Sequence, residues 1–223
     1  MINESRQVTR KEVFDIENAI VQIESVSGDI EIRESADTNC HINIFAGSDN
    51  DRDLAEEVEI SVSGNKISVR SRGRATGLRR FFNARSGDVD FMLELPKSAA
   101  LKINSVSGDI NLRDIVKSVE INSVSGDVSV LHNPATRCAI KTVSGDINAH
   151  TFSSCEYSLR SISGDITVHV VPGLDIDVDG KSLSGDTESE ITLSSDRGGS
   201  AENAETVTIS ATTLSGDIYV ARN

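Results

Sequence analysis

The sequence predicts an all-β protein whose short strands are wound into a solenoid of stacked, parallel coils. The tripeptide Ser-Gly-Asp occurs eight times, and Ser63-Gly64-Asn65 is a ninth near-copy. Successive motif glycines lie 36, 23, 21, 18, 19, 19, 21 and 31 residues apart. A period of about 19 residues indicates a repeat architecture, here of roughly nine coils. The motif glycines are Gly28, Gly64, Gly87, Gly108, Gly126, Gly145, Gly164, Gly185 and Gly216.

Each repeat has the residue pattern of short strands on either side of its Ser-Gly-Asp turn. Ile103–Leu112 and Ile121–Val130 both run apolar, two polar, apolar, Ser-Gly-Asp, apolar, polar, apolar. Such alternation is typical of strands, and Gly, Ser, Asp, Val and Ile are poor or mediocre helix formers. Hairpins closing into a sandwich or barrel are the alternative. One recurring turn motif favours coils that lie directly above one another, because hairpins would alternate between two kinds of turn.

The parity of the apolar residues predicts which side chains form the core. Val106 and Ile110 share one parity and Ile103 has the other, so all three point inward only if the chain bends near Asn104-Ser105. The predicted inward residues are Ile103, Val106, Ile110, Leu112, Ile121, Val124, Val128, Val130, Ile140, Val143, Ile147, Leu159, Ile162, Ile166 and Val168.

The repeated turns are expected to stack into a structural ladder. Glycine supplies a positive φ or a close backbone approach, and the Asp and Ser side chains can bond to the turn of the next coil. The predicted ladder residues are Gly108, Asp109, Gly126, Asp127, Gly145, Asp146, Gly164 and Asp165. Stacked carboxylates also suggest a calcium site, but the spacing of calcium-binding repeats is absent, so turn capping is favoured.

The intervals between motifs predict one solenoid domain over residues 1–223 with three interruptions. Residues 1–20 form an N-terminal cap. Residues 46–59, a polar and acidic stretch, and 70–85 form excursions, the first of them a long loop or a short helix. Residues 194–206 form a glycine-containing loop.

Three segments carry a resemblance to a known family: the repeated Ser-x-Ser-Gly-Asp-Ile/Val, Phe91–Pro96, and Thr213–Val220. Over residues 21–220 the chain resembles the β-strand-repeat family called domain of unknown function 4097, the "putative adhesin" group. The resemblance implies a single-stranded, right-handed parallel β-helix. It brings no catalytic residues and no cofactor.

Composition narrows the classes of partner. The chain has 22 basic and 35 acidic residues, a net charge of -13, which repels nucleic acid and anionic lipid. No apolar run is long enough to span a membrane, and Met1–Glu12 lacks an apolar signal core. We therefore expect a cytoplasmic protein. Three cysteines without a CxxC pair predict free, buried thiols.

One stretch departs from the acidic average. From Lys66 to Arg85 the chain carries +7 with no acid, which leaves -20 on the remainder. A basic and aromatic loop can dock on an anionic protein, a membrane surface or the acidic face of a second copy. The alternative, a corner loop paired with the protein's own acids, is favoured. The candidate interaction residues are Lys66, Arg70, Arg72, Arg74, Arg79, Arg80, Phe81, Phe82 and Arg85.

The sequence contains no recognised catalytic motif. His150 and His169 fall five residues after their motif glycines and should be neighbours on adjacent coils, but two ligands do not make a metal site. We therefore expect a non-enzymatic scaffold or protein-interaction module without cofactor or metal. The alternative is a β-helix enzyme or binder that acts on acidic polysaccharide. Self-association is also expected, either through an uncovered C-terminal coil around Leu214–Val220 or through the basic stretch.

Overall fold

The computed structural model describes residues 7–71, 88–114, 116–132, 136–189 and 206–222. It confirms an all-β protein with one short helical excursion. The elements are β1 (Arg10–Phe14), β2 (Ile20–Ser25), β3 (Ile30–Glu34), β4 (Cys40–Ala46), a 3-10 turn (Asp49–Asp51), α1 (Arg52–Glu56), β5 (Glu59–Ser63), β6 (Lys66–Arg70), β7 (Val89–Leu95), β8 (Ala100–Ser105), β9 (Ile110–Leu112), β10 (Ser118–Ser125), β11 (Val128–Val130), β12 (Arg137–Ser144), β13 (Ile147–Thr151), β14 (Glu156–Ser163), β15 (Ile166–Val170), β16 (Asp175–Ser184), β17 (Thr187–Ser189), β18 (Thr206–Ser215) and β19 (Ile218–Arg222).

The strands form two sheets that enclose one core. The ten-stranded sheet has the order β1-β4-β7-β3-β9-β11-β13-β15-β19-β17, and the nine-stranded sheet has the order β16-β18-β14-β12-β10-β8-β2-β6-β5. From β8 to β15 consecutive repeats pair in parallel and in register, so that Ile103, Ile121, Ile140 and Leu159 occupy one row. All four are fully buried. Equivalent positions of successive repeats therefore lie above one another, as the recurring turn predicts.

Sequence order does not set the stacking order at the C-terminal end. β18 pairs with both β14 and β16, and β19 pairs with both β15 and β17. The last repeat is thus inserted between two earlier ones, and the prediction of an open C-terminal coil is wrong. Its strands have neighbours on both sides, and Ile218 and Val220 are buried. β16 and β17 end the stack of described strands.

The other end of the stack contains the antiparallel strands. β2 lies between β8 and β6, and β5 pairs with β6 in an antiparallel hairpin through Gly64. In the ten-stranded sheet β4 lies antiparallel to both β7 and β1, so Arg10–Phe14 forms the edge strand. The excursion after Ala46 contains the helix α1, which buries Leu54 and Ala55 against the core.

The predicted bend is misplaced by about two residues, and four core assignments are wrong as a result. The seven strands of the nine-stranded sheet that lead into a Ser-Gly-Asp turn continue straight through the Ser or Thr two positions before the motif serine, and this residue points inward, as Ser105 does. The next residue therefore points outward. Val106, Val124, Val143 and Ile162 are 51%, 47%, 43% and 49% exposed, whereas the other predicted core residues are buried.

None of the helices in the described part of the chain is long and apolar enough to cross a membrane.

Candidate interaction surface

The Ser-Gly-Asp turns stack so closely that only glycine fits. Gly108, Gly126 and Gly145 have φ values of +114°, +111° and +140°, a region that side chains disfavour. A Cβ added at Gly126 would lie 2.3 Å from the carbonyl oxygen of Gly108, and one added at Gly145 would lie 2.3 Å from that of Gly126. Two independent restraints, backbone conformation and the adjacent coil, therefore require glycine at this position.

The aspartates of the turns form a continuous hydrogen-bonded ladder. In each step a carboxylate Oδ1 accepts the backbone N–H of the Asp on the next coil, at 2.7–3.1 Å. Asp90, which is outside the motif, occupies one end of the ladder and accepts from Asp29. In order along the stack the residues are Asp90, Asp29, Asp109, Asp127, Asp146, Asp165, Asp217 and Asp186.

A second ladder lies beneath the turns, and sequence reasoning missed it. In seven of the eight Ser-Gly-Asp copies the residue two positions before the motif serine is a buried or half-buried Ser or Thr, and several of these hydroxyls donate to a turn carbonyl, as from Ser123 Oγ to Ser125 O at 3.2 Å. Thr142 and Ser161 are exceptions, because their buried hydroxyls have no hydrogen-bond partner. The signal in the sequence was the Ser or Thr at this position in seven of the eight copies, the exception being Ala84. The residues are Ser25, Ser105, Ser123, Thr142, Ser161, Ser182 and Thr213.

In each repeat one residue lies between these two polar ladders, and together these residues form an exposed apolar ridge. Each described Ser-Gly-Asp turn that joins the two sheets presents one Val, Ile or Leu to solvent, and strands that are adjacent in the nine-stranded sheet place these side chains in one row. At the usual strand spacing of about 4.8 Å the row is about 29 Å long. In spatial order the ridge consists of Leu183 (80% exposed), Leu214 (48%), Ile162 (49%), Val143 (43%), Val124 (47%), Val106 (51%) and Val26 (42%).

Polar rows of opposite character border the ridge. On its turn side, three residues further along each coil, lies the carboxylate ladder, which is exposed from Asp109 to Asp186. On its strand side, two residues earlier, lies a row of hydrogen-bond donors that we call the donor row. The register Asn104↔Asn122↔Lys141↔Arg160↔Thr212↔Lys181 defines this row.

Three residues of the donor row, Asn122, Lys141 and Arg160, line a shallow groove of about 570 Å³ on the outer face of the nine-stranded sheet. The groove contains four cations, Lys102, Arg137, Lys141 and Arg160, and one carboxylate, Glu120. Lys102 Nζ donates to Glu120 Oε1 at 2.8 Å, which holds the pKa of that carboxyl below its usual range. The groove is therefore a basic patch on an acidic protein.

The structure describes two of the predicted interaction residues, Lys66 and Arg70, both on β6 and both exposed. Arg70 Nε donates to Glu24 Oε2 at 2.6 Å, and this contact holds the pKa of Glu24 below its usual range. The pairing is of the kind expected for a corner paired with the protein's own acids. Arg72, Arg74, Arg79, Arg80, Phe81, Phe82 and Arg85 lie outside the described residues, as does most of the excursion 70–85 and the loop 194–206.

The histidines and cysteines lie where their spacing predicts. His150 and His169 are partners in the register of β13 and β15, and their rings stack with centroids 4.8 Å apart. Burial, with His169 and His132 nearby, lowers the pKa of His150. All three cysteines are free and buried, and burial raises the pKa of Cys40 to about 11. In the described ranges no three His, Cys, Asp or Glu side chains come together as a metal site.

The stacked turns and the two paired sheets define an all-β protein with a large, regular outer surface. The chain belongs to the Toastrack DUF4097 family, whose model matches residues 11–116 and again residues 97–221. The family resemblance inferred from the motifs is thereby confirmed. No protein with curated annotation matches the chain.

Two solved structures show the same fold at low sequence identity. The crystal structure of a "putative cell adhesion protein" from Clostridium sporogenes has a TM-score of 0.54 at 8% identity, covering 96% of this chain and 99% of that one. The crystal structure of a "putative adhesin" from Bacteroides fragilis has a TM-score of 0.50 at 13% identity and covers both chains completely. At these identities the likeness concerns the fold alone.

Proposed function

We propose that this protein is a non-enzymatic interaction module that binds a partner protein along the apolar ridge. The observation that carries the proposal is the ridge itself, seven exposed aliphatic side chains in one row. Contiguous exposed apolar surface on a folded protein is typical of an interaction site, whereas isolated exposed apolar residues are common everywhere. The adhesin names of the two structural relatives support a binding role.

We also propose that the protein is a right-handed, single-stranded parallel β-helix of roughly nine coils with about 19 residues each. Such a β-helix gives the ridge a rigid support. The parallel register from β8 to β15 supports it, because each strand returns to its own sheet after one excursion through the other sheet. Such parallel crossovers are right-handed in nearly all proteins.

The borders of the ridge specify the chemistry of its partner. The carboxylate ladder runs parallel to the ridge and carries one negative charge per coil. A complementary partner therefore presents an extended apolar strip with lysine or arginine along the edge that faces the carboxylate ladder. This charge complementarity favours a basic, amphipathic segment of another protein over a second copy of this acidic chain.

The alternative, an enzyme that acts on acidic polysaccharide, needs two carboxylates that face one cleft. Within the described residues the groove of the nine-stranded sheet has Glu120 alone, and that group is paired with Lys102. The groove therefore supports binding of an anionic ligand better than its hydrolysis.

A synthetic strand-forming peptide of alternating valine and lysine tests the ridge. We expect the wild-type protein to bind this peptide more tightly than an alternating serine-lysine peptide of equal charge, as measured by fluorescence anisotropy. The triple variant V124S/V143S/I162S should lose the difference between the two peptides. A matched control, V8S/V13S/V62S, replaces three valines that are exposed away from the ridge (41%, 48% and 46%) and should retain it.

Three outcomes would contradict the proposal. Equal binding of the two peptides would show that charge alone is recognised. Equal loss in both triple variants would show that the ridge is not the site. A concentration-dependent dimer in sedimentation that disappears only in V124S/V143S/I162S would assign the ridge to a second copy of the chain.

A further inference from the structure

The nine-stranded sheet places two cations side by side, and neither forms a salt bridge with any described residue, since Glu120, the acid near Lys141, is bonded to Lys102. Lys141 and Arg160 are direct register partners on β12 and β14, and both are exposed. Like charges at directly opposed positions of neighbouring strands destabilise a sheet. Other cations of this face have acids beside them, as Lys102 has Glu120 and Arg137 has the register partner Glu156.

The neighbours of this pair along the donor row are donors too. Asn122 precedes Lys141 and Thr212 follows Arg160, and the Asn122 side-chain amide donates to Asn104 at 3.0 Å. From Asn104 to Lys181 the row contains no carboxylate, and its next member beyond Asn104 is Glu24, which accepts a hydrogen bond from Arg70. Charged and neutral donors thus follow one another at the strand spacing of about 4.8 Å.

We propose that the donor row and its groove form a binding site for a linear acidic polysaccharide, which lies across the strands with a carboxylate between Lys141 and Arg160. The guanidinium and ammonium groups donate charge-assisted hydrogen bonds to the carboxylate. The side chains of Asn104, Asn122 and Thr212 are suited to sugar hydroxyls. Lys141, Arg160 and Asn122 all line the groove of about 570 Å³, so the charged pair and a neutral donor face the same space.

The charge distribution favours a polyuronate over a nucleic acid. The protein has a net charge of -13, which opposes a densely charged phosphate polymer. The groove residues are aliphatic or polar, and they include no aromatic ring on which a base could stack. A polyuronate instead carries one carboxylate per sugar, separated by neutral hydroxyls.

The test is a titration calorimetry experiment with polygalacturonate oligomers as the probe. We expect binding that weakens with added salt, no binding of neutral dextran oligomers, and weaker binding of single-stranded DNA. The variant K141Q/R160Q should lose affinity by at least about tenfold, since it removes two charge-assisted contacts. The matched control K11Q/K97Q removes the same net charge from exposed lysines elsewhere and should change affinity little.

Folding and ligand identity can be separated in the same experiment. The melting temperature of K141Q/R160Q should equal or slightly exceed that of the wild type, because the like-charge pair is removed. An equal loss of affinity in K11Q/K97Q, equal binding of dextran, or tighter binding of DNA would each overturn the proposal. The ridge variant V124S/V143S/I162S should bind polygalacturonate normally, so failure of this site and failure of the ridge are distinguishable.

Discussion

Replacement of Gly126 by alanine should destabilise the protein far more than replacement of Gly64. Both glycines have positive φ, +111° and +60°, so both variants carry the conformational cost of about 1–2 kcal/mol. The positions differ in their surroundings. A Cβ at Gly64 has nothing within 4 Å, whereas a Cβ at Gly126 lies 2.3 Å from the carbonyl oxygen of Gly108.

The additional cost at Gly126 comes from moving two coils apart. To bring the Cβ to even 3.0 Å from that oxygen, the coils must separate by about 0.7 Å. The bond from Asp127 N to Asp109 Oδ1, now 3.0 Å, would stretch beyond a normal hydrogen-bond length. Losing a bond to a charged acceptor costs about 1.5–3 kcal/mol. We therefore expect a loss in the free energy of unfolding of about 3–5 kcal/mol for G126A.

Urea denaturation followed by circular dichroism measures both variants against the wild type. G64A should lose about 1–2 kcal/mol and keep the same denaturant dependence. If G126A and G64A lose equal stability, close packing between coils is not what requires glycine, and the conformational restraint alone explains the motif. If G126A does not fold, the same comparison is made with G145A, and the urea denaturation is repeated at a lower temperature.

Three further predictions concern the core, the buried hydroxyls and the histidine pair. Ile121→Ser should cost about 2–5 kcal/mol in urea denaturation and Val124→Ser less than about 0.5 kcal/mol, because only Ile121 is buried; similar losses would refute the outward orientation. Thr142→Val should raise or preserve the melting temperature, since the buried Thr142 hydroxyl lacks a partner; marked destabilisation would reveal one. The lowered pKa of His150 means that the unfolded chain binds more protons between that pKa and the usual value of about 6.5. Stability should therefore fall as the pH drops below about 6.5, and less steeply in His169→Gln; identical pH profiles in chemical denaturation would contradict the coupling.

Periodicity was sufficient to predict most of the architecture. The spacing of Ser-Gly-Asp placed His150 beside His169 and put Ile103, Ile121 and Ile140 in one row, because a repeat of constant length stacks equivalent residues on one another. The need for glycine in the turn was also predictable, since no other residue accepts both the positive φ and the adjacent carbonyl. These are local properties of the repeat, and each copy carries them.

The prediction of which residues form the ridge and the donor row depended on where each strand of the nine-stranded sheet ends. Parity arguments assign faces relative to a bend: a bend at Asn104-Ser105 places Val106 in the core, whereas the observed bend after Ser105 turns it to solvent. The apolar character of Val106 favoured its burial in the prediction. In the structure it is Ser105 that points inward, and its hydroxyl donates to a turn carbonyl. A strand period of two makes this one choice decide every side chain that follows.

The sequence by itself determined the all-β class, the repeat length, the turn chemistry and most of the core, because these follow from residues that are close together in the chain. Only the tertiary structure decided the order of the coils and the composition of the outer surface. The insertion of β18 between β14 and β16 depends on pairing between strands more than 40 residues apart, such as Leu159 with Ala211. Contacts between distant segments are selected by the free energy of the whole fold, and no local pattern encodes them.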